Sequence, residues 1–319
     1  MVICSQRVFR CFRTFERLGD KITGYAGPWF VALANCLILC GLACFFDVIA
    51  PTMRYPLLSI PACLILIINM VGHYFWVVMI PPGFVDVQFE HKYKWFYARR
   101  KDSSRVVRHF QLTPAARNTC RKCGRSRPEK RAHHCRVCDI CVLKYDHHCP
   151  VRINQCVGLY NERHFVMFMA YLVVCASSFC YLAWEPMSST FGFANETPKA
   201  EFRSTFVPPT MLVMMFILSA VMAFCVLVML LFQLHGVVCG ETSVETQDFE
   251  VYRKNEEFVN SYDLGRQTNL HPLYTLFLPL LVMPYTDGYS IARRVGCEDG
   301  HKGVSPGDQI TDDEGEYEV

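Results

Sequence analysis

Charge is what this chain has little of, and four of its stretches have none. Only 19% of the 319 residues are Asp, Glu, Lys or Arg, against 52% hydrophobic. Residues 29–46, 55–80, 165–184 and 206–234 contain none of those four types. Each is close to or beyond the ~20 apolar residues that a membrane-spanning helix needs, which sets aside a wholly soluble chain. The first run starts too late and lasts too long for a cleaved signal peptide, so it is expected to be an internal anchor whose helix continues past Asp47. Polar groups inside the spans are equally scarce. His73, Asn35 and Asp47 are too few and too scattered for a zinc-handling or transport path. The net charge of +3 by itself excludes no partner.

Where the charge lies says more than its total. Residues 1–27 carry five Lys and Arg and residues 81–164 carry eighteen, while the connections 49–54 and 185–205 carry one and two. The positive-inside rule puts both basic segments in the cytosol, and an even number of spans returns the C-terminus there. Both termini are therefore expected to be cytosolic, with Asn195-Glu196-Thr197 a lumenal glycosylation acceptor. Cys4 and Cys11 sit where lipid could be attached beside the bilayer.

Between the second and third runs lies CRKCGRSRPEKRAHHCRVCDICVLKYDHHCPVRINQC, Cys120 to Cys156. It holds seven cysteines (120, 123, 135, 138, 141, 149 and 156) and four histidines (133, 134, 147 and 148). Cys-x2-Cys pairs suit tetrahedral Zn²⁺, since two thiolates on one tight knuckle reach one ion at about 2.3 Å. A disulfide cluster is the rival, weakened by the cytosolic placement. Two closed zinc sites take eight of the eleven donors and leave three. Asp146-His147-His148-Cys149 holds a thiol, a base and a carboxylate able to orient it, the parts of an activated nucleophile. The plainer alternative is a zinc-ribbon binding module in which every cysteine is structural.

At these residues the sequence resembles the DHHC protein S-acyltransferases, membrane enzymes that move a fatty acyl group from acyl-CoA to protein cysteines. The match runs through Cys120-x2-Cys123, Arg127-Pro128, His134-Cys135-x2-Cys138-x2-Cys141, Asp146-His147-His148-Cys149-Pro150, Cys156-Val157-Gly158, Asn161 and Phe165. The resemblance implies one structural zinc on Cys120, Cys123, His134 and Cys141 and another on Cys135, Cys138, His148 and Cys156. It also implies Cys149 as the acyl-accepting nucleophile, His147 as general base and Asp146 as its orienting partner, with His133 unassigned. Acyl-CoA, palmitoyl-CoA in particular, becomes the expected co-substrate. Protein cysteines near the membrane become the expected acceptors.

The chain departs from that pattern in four places. The gaps before His134 and between Cys149 and Cys156 are each one residue longer than usual. Val151 stands in place of a common Trp, and Pro81 in place of the Asp of an Asp-Pro-Gly turn. The second insertion separates the nucleophile from a zinc ligand, where small displacements are costly in rate. A catalytically silent membrane scaffold that uses its zinc domain to bind partners is therefore the alternative.

Other segments carry weaker signals. Arg121, Lys122, Arg125, Arg127, Lys130 and Arg131 are docking candidates for the phosphates of coenzyme A, or else a solvated positive-inside surface. Basic residues 92–108, interleaved with Tyr93, Trp95, Phe96 and Tyr97, suit lipid headgroups; tethering at a bilayer argues against nucleic acid. Ala34, Gly41, Ala170, Ala176 and Ser177 either open an acyl slot between helices or are close helix contacts. Thr242-Ser243-Val244-Glu245 resembles the family's Thr-Thr-x-Glu motif, able to hold the zinc domain under the helices, with a capping box as the local alternative. Asn260 and Asn269 resemble its C-terminal element, and residues 270–285, broken by Pro272, Pro279 and Pro284, read as interfacial. From Gly307 the chain has six acidic and no basic residues, a composition expected to be disordered, and it ends in Val319 as a PDZ-binding segment would.

The expected architecture is an all-α polytopic membrane protein with four transmembrane helices and a small cytosolic two-zinc domain between helices 2 and 3. Its expected segments are 1–27, 28–80, 81–164 with a zinc core at 120–165, 165–235 and 236–319. Its expected home is the Golgi, the ER or the plasma membrane.

Overall fold

A computed structural model of the chain describes residues 19, 25–85, 97–98, 110–149, 153–191, 204–270, 273, 279, 281–282, 284, 286–297 and 299–304. Cys4, Cys11, Val151, Asn195, most of the basic segment 92–108, Tyr274, Phe277 and the acidic end lie outside the described residues.

Four helices are long and apolar enough to cross a bilayer: α1 (Tyr25–Thr52), α2 (Pro56–Met79), α3 (Glu162–Phe191) and α4 (Pro209–Cys239). Proline stands in the first turn of α2 and α4, where its missing N–H is no loss. Their outward side chains, Leu57, Phe224 and Phe232 among them, are exposed, a surface that hydrocarbon tolerates and water does not. The chain is thus a multi-pass membrane protein. As expected, α1 runs past Asp47, widening into a π-turn (Phe45–Ile49) and then tightening into a 3-10 turn (Ala50–Thr52). The Asp47 carboxylate accepts the N–H groups of Thr205, Phe206 and Val207 at 3.0–3.1 Å, tying α1 to the entry of α4.

All-α describes only the membrane part. The cysteine-rich region is built from short antiparallel hairpins: β3 (Arg117–Thr119) with β4 (Ser126–Pro128), β5 (Ala132–Cys135) with β6 (Ile140–Leu143), and β7 (His147–Cys149) with β8 (Gln155–Val157). Closely spaced ligands require reversals that a helix cannot make. Arg131, Asp139, Lys144 and Asn154 accordingly sit at positive φ, between 46° and 63°. The remaining strands are β1 (Tyr97–Ala98), parallel to β9 (Leu281–Val282), and β2 (Phe110–Pro114), antiparallel to β10 (Ser290–Arg294).

Two seams join the hairpins to the helices. The exit of α2 runs beside β6, with Val85 N–H on Cys141 O (3.0 Å) and Leu143 N–H on Gly83 O (2.8 Å). Gln155 donates to the freed carbonyls of Val78 and Ile80 (both 3.1 Å) and also to that of Val77. At the start of α3, buried Asn161 accepts from Gly158 N–H and donates to Cys156 O, both at 2.9 Å. Residue 156 is thereby held to the helix, which begins at Glu162.

Past α4, Gly240 takes φ 72°, and a side chain there would meet the carbonyl of Tyr262 at 2.5 Å. Asn260 and Asn269 donate to the last carbonyls of α4, Cys239 O and Val238 O, each at 2.9 Å. The short helices α5 (Ser243–Tyr252) and α6 (Arg266–Leu270) follow. Thr242 caps α5 in a full capping box with Glu245.

Candidate active site

Two quartets converge in the hairpins: Cys120, Cys123, His134 and Cys141, and then Cys135, Cys138, His148 and Cys156, each with its donor atoms within 4.8 Å of one another. Cys123 and Cys141 are 3.6 Å apart and Cys138 and Cys156 3.5 Å, far beyond the ~2.05 Å of a disulfide. His148 Nδ1 stands 3.4–3.6 Å from Cys135, Cys138 and Cys156. Metal–ligand bonds of about 2.3 Å to sulfur and about 2.1 Å to nitrogen make tetrahedral edges of roughly 3.5–3.8 Å, so the donor sets fit Zn²⁺. Behind His134, Asp139 lies 3.4 Å from Nε2, an orienting partner of the kind metal-bound imidazoles have.

Cys149 belongs to neither quartet. It is 7% exposed and sits in an apolar cluster with Met70, Tyr74, Val77, Phe165, Phe168, Val226 and Leu230, drawn from α2, α3 and α4. The thiol therefore lies against the ends of three spanning helices.

His147 and Asp146 stand beside it. His147 Nδ1 is 2.8 Å from Asp146 Oδ2, and the edge of Phe165 packs on the imidazole at 5.2 Å. Burial opposes charge on His147, but hydrogen bonds to Asp146 and Cys149 raise it to about 9. Burial would likewise push Asp146 up; the hydrogen bond and charge of His147, with donors from Ser243 and Gln233, hold it at about 2. The Ser243 N–H donates to Oδ1 at 2.6 Å and the Gln233 amide to Oδ2 at 2.8 Å.

Neither of those two partners was legible. Ser243 contributes its backbone, which carries no side-chain signal. Gln233 was absorbed into the apolar window 206–234, although an uncharged amide near the end of such a run is a signal.

Glu245 holds Arg131 of the β4–β5 turn through two bonds, at 2.7 and 2.8 Å, and Arg131 also donates to Gly240 O. Among the phosphate-docking candidates, Arg131 is thus committed to this pair, and buried Arg127 to Ala132 O and Asn118. Arg125 reaches Val85 O, Lys130 is half-buried, and Arg121 and Lys122 face outward. His133 packs on Tyr145 at the edge of a cavity of about 210 Å³.

A second cavity, of about 400 Å³, lies among α1, α2, α3 and α4 and is lined almost wholly by apolar side chains. Ala34, Gly41 and Ala176 line it. Ala170 packs instead on the Cys149 cluster, and Ser177 is not in the lining. Met70, Tyr74 and Phe168 belong both to the cavity wall and to the cluster around Cys149.

Fold and site together define a multi-pass membrane protein with two Cys/His quartets able to hold metal ions and a cysteine, histidine and aspartate gathered beside its spanning helices. Residues 114–250 match the family DHHC palmitoyltransferase. It is 30% identical over 207 residues to palmitoyltransferase ZDHHC15 of Xenopus laevis, covering 61% of this chain and 55% of the relative. It is 35% identical over 129 residues to palmitoyltransferase ZDHHC3-A of Danio rerio, covering 40% and 39%. It is 31% identical over 171 residues to probable protein S-acyltransferase 14 of Arabidopsis thaliana, covering 53% and 51%. The chain spans about two fifths to just over half the length of these relatives.

Proposed function

We propose that this chain is a protein S-acyltransferase that moves a long-chain acyl group of the palmitoyl class from acyl-CoA to protein cysteines through an acyl-Cys149 intermediate. The observation that carries the reading is a thiol left outside both Cys/His quartets, hydrogen-bonded to an aspartate-backed histidine and set in an apolar cluster of the spanning helices.

In the first half-reaction Cys149 gives its proton to His147, and its sulfur attacks the acyl carbon of the thioester. The carbon–sulfur bond to coenzyme A breaks, and the leaving thiolate takes the proton from His147. In the second, a substrate cysteine passes its proton to His147 and attacks the acyl carbon; Cys149 departs and is reprotonated. One thioester replaces another, with no net redox change. Asp146 fixes the imidazole and stabilises its charged form.

Two Zn²⁺ ions would be held by the quartets as structural ions, each sphere closed by three thiolates and an imidazole. The acyl chain would occupy the apolar cavity, whose volume falls within the ~300–1,000 Å³ of small-molecule sites. Arg121, Lys122 and Arg125 are the candidates left nearest the surface for the coenzyme phosphates. The proposed orientation puts both termini in the cytosol of an endomembrane or plasma-membrane protein, with acceptors whose cysteines lie beside the bilayer.

Incubating the zinc-loaded protein with labelled palmitoyl-CoA tests this. The expected result is hydroxylamine-sensitive label on Cys149, lost in Cys149→Ser. A wild-type Cys149 that stays unlabelled with both zincs bound sinks the reading and leaves the silent scaffold.

A further inference from the structure

Arg293, on β10, is only 7% exposed, yet its Nε and Nη1 donors meet no acceptor. Native interiors rarely leave a guanidinium in this condition, because a buried charge without a counter-charge is costly. Its surroundings make the deficit worse. The Tyr262 ring carries Arg131 at 4.2 Å and Arg293 at 6.0 Å. Arg131 already has Glu245. Half-buried Lys130 lies close by: its amine is held below the ordinary lysine value by burial and then by Arg293, with Glu129 acting the other way. Around His301, Glu245 is opposed by Lys130, Arg293 and Arg131. Three cations thus share one corner, and among the described residues no carboxylate is paired with Arg293.

The chain returns to this corner just before its most acidic segment. His301 accepts from Ser261 N–H at 3.1 Å, Lys302 pairs with Val259, and Gly303 O accepts from Asn255 at 2.7 Å. Val304 packs on the cluster of Phe249, Tyr252, Tyr262 and Ile291, and Ile291 is two residues from Arg293 on the same strand. Six carboxylates follow: Asp308, Asp312, Asp313, Glu314, Glu316 and Glu318, with no basic residue among them. Asp308 is four residues past Val304, within about 14 Å for an extended chain, and Asp313 within about 32 Å. So short a tether gives the carboxylates a local concentration in the millimolar range, which favours them over a diffusing anion.

We propose that residues 308–318 of this chain dock on Arg293 and Lys130, a carboxylate accepting the two open guanidinium donors. The contact closes the corner formed by the β4–β5 turn, β10 and α5. It is independent of acyl transfer and stands or falls apart from that reading.

Carbodiimide coupling on the full-length, zinc-loaded protein in lipid nanodiscs tests it, because the reagent joins a lysine to a carboxylate only where the two already touch. Mass spectrometry is expected to find Lys130 joined to Asp308, Asp312 or Asp313, with yield falling at least fivefold in Arg293→Gln and in 0.5 M salt. Should Arg293→Gln fail to fold, the tail variant D308N/D312N/D313N is expected to lose the bond and to speed amide exchange in β10. Lys130 joined only to Glu129, or tail bonds of equal yield in both variants, overturns the proposal. So does protection of β10 by 10 mM inorganic phosphate that is equal in the full chain and in a chain ending at Val304, since the site then takes a diffusible anion.

Discussion

The Gln233 amide, near the end of the last spanning helix, donates at 2.8 Å to Asp146 Oδ2, the same oxygen that meets His147. A membrane helix therefore orients the histidine through the aspartate. Gln233→Leu removes one donor to a buried carboxylate, a bond worth ~1.5–3 kcal/mol. The expected outcome is a ~10–100-fold loss in kcat with KM for acyl-CoA and two bound zincs unchanged. Asp146→Asn should lose ~10⁴-fold. Steady-state acyl transfer and metal analysis on the same preparations check both. An unchanged kcat in Gln233→Leu would show that Ser243 alone suffices.

Arg131 and Glu245 form a two-bond pair between the cysteine-rich hairpins and α5, with side chains 16% and 8% exposed. Breaking such a pair from one side leaves a buried charge, so Glu245→Gln is expected to cost ~3–5 kcal/mol. The double variant R131M/E245Q should recover part of that loss. Thermal unfolding in detergent reads the difference. Equal destabilisation by the single and double variants would contradict the pairing.

Filling the cavity should shorten the preferred acyl chain. A side chain added at Gly41 begins in ordinary contact with Met215, 3.6 Å away, so Gly41→Leu takes up space without a backbone clash. At ~0.8 kcal/mol per buried methylene, each CH₂ displaced should lower relative kcat/KM about fourfold. Competition among acyl-CoAs of graded length reads the shift, and an unmoved preference would place the chain elsewhere.

His301 predicts a pH effect with a definite sign. Burial holds its imidazole at about 4, below the ordinary 6.5, so the folded state keeps it neutral where the unfolded state would protonate it. Its contribution is complete above pH 6.5 and declines as pH falls toward 4. Hydrogen exchange in α5 should accelerate over that interval. His301→Asn, which keeps an acceptor for the Ser261 N–H, should flatten the dependence. An identical profile in the variant would remove His301 as the cause.

Much of this was legible residue by residue. Four uncharged runs had to become spanning helices, because hydrocarbon accepts little else at that length. Spacing marked the Cys-x2-Cys pairs as candidate metal donors, the family resemblance implied their partition, and the same eight residues gather into two quartets in the geometry. The all-α expectation missed the hairpins, since ligand knuckles demand left-handed turns that helical periodicity does not reveal. Assigning Arg127 and Arg131 to a ligand was equally natural from sequence, where a basic run looks like one surface. Their partners, Ala132 O and Glu245, are contacts that only the folded chain discloses.

By itself, then, the sequence determined composition-driven matters: which segments are long and apolar enough to span lipid, which residues have the donor chemistry for metal, and where a thiol stands beside histidines. Tertiary structure alone decided what those groups face. It aimed Gln233 and the amide of Ser243 at Asp146, set Cys149 among side chains of three helices, and left the Nε and Nη1 of buried Arg293 without an acceptor among the described residues. The reason is physical. Spacing along a chain encodes local geometry, whereas a hydrogen bond between residues 146 and 233 or 243 exists only once burial has removed the water that would otherwise serve both partners.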